Sequence, residues 1–61
     1  FLNEEQRDQV LQFASDNKDT IMNQPRTNRI HFFQNLVYER LIINLSLYMA
    51  SKLIQIISSN N

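Results

Sequence analysis

The sequence predicts an all-α fold, a small bundle of about three helices, on three observations. The chain has 61 residues with no Gly and one Pro, so the residues that most readily supply positive-φ turns are almost absent. What remains is rich in Asn, Leu, Ile and Gln. Its apolar residues also recur at the three- and four-residue spacing of helix faces rather than in strict alternation. The pattern divides the chain into helices over roughly 4–23, 26–35 and 36–57.

The first helix opens at Asn3, an N-cap whose side-chain oxygen can accept from first-turn amides, with Gln6 at the capping-box position. Glu4 and Glu5 suit the positive end of the helix dipole. Val10, Ala14 and Ile21 share one side, flanked by Leu11 and Met22 on one edge and Phe13 on the other, and Asn17-Lys18 interrupts the run. Gln24 precedes Pro25 and is pushed out of helical dihedrals, which ends this helix and lets Pro25 or Thr27 open the next. In the second segment Ile30 and Phe33 face one way with Phe32 beside them. Gln34-Asn35 then offers a break in which Asn35 caps the third helix. Ile30, Phe33 and Val37 are equally well spaced for one uninterrupted helix over 27–57.

The third segment has more apolar surface than one neighbour can cover. Leu41, Leu45 and Tyr48, with Ile42, Met49, Leu53 and Ile56 on an adjoining line, form one face; Ile43, Leu47, Ala50, Ile54 and Ile57 form another. Arg40, Asn44, Ser51 and Gln55 make a narrow polar strip. Roughly two-thirds of the circumference therefore calls for burial, against the ~100° of an ordinary surface helix. A chain of this size buries only about 60% of its unfolded surface, and without Cys it has no disulfide or thiolate metal site to reinforce it. Association with helices of a partner chain is the expected completion.

Formal charge is zero, which supplies no global attraction to nucleic acid or to an acidic membrane. Locally, residues 1–25 carry Glu4, Glu5, Asp8, Asp16 and Asp19 against Arg7 and Lys18, while Arg26, Arg29, Arg40 and Lys52 face only Glu39 in the remainder. The apolar C-terminal third is interrupted by Glu39, Arg40, Asn44 and Lys52, too polar for a bilayer span of ~20 largely apolar residues. No signal peptide is visible. From its Phe1 start and Ser58-Ser59-Asn60-Asn61 end, the chain is expected to be a single domain, residues 1–61, excised from a longer protein.

Catalytic constellations are weak. His31 and Glu39 would lie ~12 Å apart along a continuous helix, and the one His cannot by itself hold zinc. Glu4, Glu5 and Asp8 are accounted for by the helix dipole. With no Gly, phosphate-cradling loops are excluded. The expectation is no enzyme, no metal, no cofactor and no small-molecule ligand. Two other readings stay open: a self-associating helical bundle, and a small single-strand nucleic-acid module using Phe32, Phe33, Tyr38 and Tyr48 near Arg29 and Arg40. For the latter, Arg40 and Asn44 resemble weakly the arginine–histidine signature of a small single-strand-binding domain, with Asn in place of His.

Leu2, Glu5-Gln6, Pro25, Arg29, the bulky pair Phe32-Phe33, Gln34-Asn35, Ile42 and Met49, in this order and approximate spacing, resemble the hinge domain of the RNA-binding subunit of cleavage stimulation factor and its fungal counterpart in cleavage factor IA. Leu36 stands where animal hinge sequences place Pro after Gln-Asn, and the segment from Gln6 to Pro25 is a few residues longer. The resemblance implies a helical heterodimerisation domain in the nucleus. It would intertwine with the C-terminal tail of the HAT-repeat scaffold subunit and tether an RNA-recognition subunit to the mRNA 3′-end cleavage and polyadenylation machinery. RNA would be bound only by another domain of the parent protein. Partner contacts implied at matching positions are Phe32, Phe33, Leu36, Ile42, Leu45 and Met49, to which periodicity adds Leu41, Tyr48, Leu53 and Ile56. The expected mechanism is co-folding, with a joint core offsetting the ordering entropy of both chains.

Overall fold

Local chemistry places the first boundaries. In the computed structural model, which describes residues 2–59, α1 (Glu4–Asp16) opens at Asn3. There the Gln6 N–H donates to Asn3 Oδ1 at 2.8 Å and the Asn3 N–H donates to Gln6 Oε1 at 3.2 Å. Two first-turn donors are thereby satisfied reciprocally. Asn3→Ala should destabilise the domain by about 1 kcal/mol and lower Tm by roughly 4–8 °C, a change that circular-dichroism melting measures.

Asn17 ends α1. Its backbone N–H and its Nδ2 both donate to the Phe13 carbonyl, at 3.0 and 2.8 Å, and its ψ of 19° leaves the helical basin. A side chain competing for a helix carbonyl is the usual way Asn interrupts a helix. The chain resumes at once as α2 (Lys18–Met22), so the single helix expected over 4–23 is two pieces meeting at Asn17.

No Gly is available to cap α2, and an arginine does the work. Arg29 donates from Nη2 to the Met22 carbonyl at 3.1 Å and from Nε to the Gln24 carbonyl at 3.2 Å. A cation set on exposed C-terminal carbonyls satisfies them and complements the helix dipole. Pro25 is extended (ψ 142°) and leads into a 3₁₀ turn over Arg26–Asn28, closed by the Asn28 N–H on the Pro25 carbonyl at 2.8 Å.

The next boundary differs from both expected alternatives. α3 (Arg29–Leu41) runs straight through Gln34-Asn35, and the chain turns over residues 42–46 before α4 (Leu47–Ser59). Neither a boundary at 35/36 nor one helix over 27–57 is present. Folding back lets Ala50, Leu53 and Ile57 of α4 join Phe33 and Val37 of α3, Val10 and Ala14 of α1 and Ile21 of α2 in one core; a straight helix would leave them in water. α4 lies against both α3 and α1. The connection contributes too: Ile43 and Leu45 are buried while Ile42, Asn44 and Ser46 are exposed, the alternation of an extended segment. Gln34 Nε2 pins it by donating to the Leu45 carbonyl at 2.7 Å. Ser46 then caps α4, its Oγ accepting from the Met49 N–H at 3.1 Å.

The turn begins with Ile42 in the left-handed region, φ 57° and ψ 39°, its N–H donating to the Tyr38 carbonyl at 2.9 Å. This is the αL way of ending a helix, normally given to Gly. For an L-residue it costs roughly 1–2 kcal/mol, and a β-branched side chain tolerates it poorly. Among the described residues Ile42 is the one non-Gly residue with positive φ. The core holds no buried polar group among the described residues. The radius of gyration, 10.4 Å, is that of a closed domain of this length, about 10.5 Å.

Candidate interaction surface

The ten side chains expected to meet a partner divide into three groups by burial. Phe33, Leu45 and Leu53 are inside this chain's own core. Phe33 is fully buried because α3 presents it and Val37 on the side facing α4; Leu45 plugs the connection. Phe32, Leu41 and Met49 are half-buried against that core, and Leu36 is half-buried as well. Ile42, Tyr48 and Ile56 stand outside it, with 71%, 68% and 43% of their surface exposed.

Helix geometry sets Tyr48, Lys52 and Ile56 on one outward line of α4, four residues apart. The Lys52 ammonium lies 5.6 Å from the Tyr48 ring centroid, a cation–π distance that orients the ring along the helix. Leu47 and Tyr38 are also exposed, at 58% and 50%. The exposure of Leu47 departs from its periodicity, which matches the face of Ala50, Ile54 and Ile57. The signal for this exposure is Ser46: as N-cap it puts Leu47 in the first turn, before α4 is seated on α1 and α3.

A mostly apolar cleft of about 410 Å³ is lined by Leu2, Arg7, Asn44, Leu45, Ser46 and Met49. It sits where the start of α1 meets the 42–46 connection. Leu2, Leu45 and Met49 give it apolar surface, and Arg7, Asn44 and Ser46 add polar groups. A second, more open cleft of about 400 Å³ includes Arg26, Arg29, Ser51 and Gln55. The Arg29 guanidinium in it already serves the carbonyls of Met22 and Gln24.

His31 and Glu39 are both exposed on α3. Among the described residues no three His, Cys, Asp or Glu side chains are grouped as a metal site would need, and no helix is long and apolar enough to cross a membrane. In comparisons with known proteins, no family model, curated protein or solved structure matches this chain.

Proposed function

We propose that this chain is a protein–protein interaction domain, without catalysis of its own, that receives an apolar helical segment of a partner on the outward side of α4. The observation that carries the reading is the set of large apolar side chains outside a core that closes without them: Ile42, Leu47, Tyr48 and Ile56. Large apolar side chains left in solvent along one helix and the connection that leads into it are characteristic of docking surfaces. The resemblance of Pro25, Arg29, Phe32-Phe33, Gln34-Asn35, Ile42 and Met49 to the cleavage-factor hinge supplies the partner: the C-terminal tail of the HAT-repeat scaffold subunit, in the nucleus. RNA recognition is then the task of another domain of the parent protein. The burial of Phe33, Leu45 and Leu53 favours a tail that docks on a formed bundle over two chains that fold only together.

Calorimetric titration of the scaffold tail into the chain tests this. Binding should change little with salt, since the contact is apolar, and the Tyr48→Asp/Ile56→Asp double variant should lose about 100-fold or more in affinity with Tm nearly unchanged. Absence of binding by the unaltered chain, or a double variant that binds equally well, overturns the reading. Steeply salt-dependent RNA binding by the isolated chain would instead favour a nucleic-acid module.

A further inference from the structure

The connection between α3 and α4 combines three properties. It begins with a β-branched residue held in the left-handed region, Ile42, whose side chain is 71% exposed and so has little packing to compensate the strain. The sequence across it, Leu41-Ile42-Ile43-Asn44-Leu45-Ser46-Leu47, has neither Gly nor Pro and fits a helix. And the helix it delivers, α4, buries Ala50, Leu53 and Ile57 against elements that all lie earlier in the chain. A second copy offers the same groove.

We infer that residues 42–46 are a hinge that opens into a continuous α3–α4 helix, and that two copies of this chain exchange α4 to form a domain-swapped dimer. Opening returns Ile42 to ordinary helical dihedrals and leaves the contacts of α4 chemically unchanged, since each is remade with the other copy's α1 and α3. Short strained connections promote such exchange. The open helix, about 46 Å long, brings Ile42, Leu45 and Met49 onto one stripe at spacings of three and four residues, and pairing that stripe across two copies covers the Ile42 side chain that the closed form leaves in water. Opening is opposed by the bond from Gln34 Nε2 to the Leu45 carbonyl, by the Ser46 cap on the Met49 N–H and by the burial of Ile43 and Leu45 in the closed core, of which the paired stripe restores that of Leu45. The closed monomer and swapped dimer therefore differ by a few local terms, and concentration selects between them. The exchange uses the inward face of α4 and shares only Ile42 with the partner surface proposed above; Tyr48 and Ile56 belong to that surface alone.

The test is to heat the concentrated chain through its melting transition, cool it, and separate monomer from dimer by size exclusion with light scattering. A dimer is expected that persists for hours on dilution, because separation requires α4 to leave its groove. Ile42→Gly relieves the left-handed residue and disfavours the continuous helix, so it should lower the dimer fraction about tenfold or more. Ser46→Ala removes the cap and adds a helix former, so it should raise it. Both residues are exposed, so both variants keep the core. A chain that stays monomeric after this treatment, a dimer that dissociates at once on dilution, or two variants that shift the dimer fraction in the same direction would each overturn the inference.

Discussion

Phe33→Ala is expected to abolish the cooperative thermal transition of this domain. Phe33 is the largest of the fully buried side chains, and truncating a buried Phe costs about 3–5 kcal/mol through lost transfer energy and the cavity left behind. A domain of this length has a total stability of only about 3–9 kcal/mol. The loss is of the same size as the whole. Circular dichroism should show a chain largely unfolded at room temperature, or one melting over a broad range. A variant that melts cooperatively within a few degrees of the parent would place Phe33 on a docking surface instead, the role the family resemblance implies for it.

Leu45→Asp carries the second large effect. Leu45 is 6% exposed, at the point where the connection closes the core and its carbonyl holds Gln34. A carboxylate there enters a core whose other members are all apolar, with Arg7 of the adjoining cleft only at its edge, and burying a charge costs several kcal/mol. The variant should lose both its fold and any partner binding, with the fold lost first. The family resemblance implies instead that Leu45 belongs to a surface shared with a partner, and loss of binding would then be direct. Melting curves separate the cases: Leu45→Asp should be unfolded before partner is added, whereas the Tyr48→Asp/Ile56→Asp variant should remain folded and fail to bind.

These contrasts trace to what neighbouring residues can encode. The Asn3–Gln6 box is legible because donor and acceptor lie three residues apart, within reach of any helix that starts there. Gln24-Pro25 is legible because the pyrrolidine ring constrains the preceding residue whatever the surroundings; Asn17 shows in the sequence only as an interruption of the apolar pattern, and its side chain on the Phe13 carbonyl makes it a break. The turn over 42–46 has no such mark. Gly and Pro are missing from it, and Ile42 adopts a conformation that its own preferences oppose. Its trace in the sequence is the alternation Ile43, Asn44, Leu45, Ser46, together with Ser46 as a cap, and an overlapping helical period conceals both. The burial of the candidate contacts is concealed for the same reason. A continuous third helix puts Leu45, Leu53, Tyr48 and Ile56 on one broad face, while the turn sends Leu45 and Leu53 inward and leaves Tyr48 and Ile56 outside.

Caps, a proline, an acidic first turn and the spacing of apolar residues are local properties, and they suffice to make the chain helical, to start α1 at Asn3 and to end the first helical run before Pro25. Where α3 stops, and which side of α4 becomes core, depends on contacts between residues far apart in sequence. Phe33 and Val37 are covered only when Ala50, Leu53 and Ile57 return to them over α1, and the apolar area that this return removes from water outweighs the strain at Ile42. That burial exists only in the assembled bundle, so only the tertiary structure decides it.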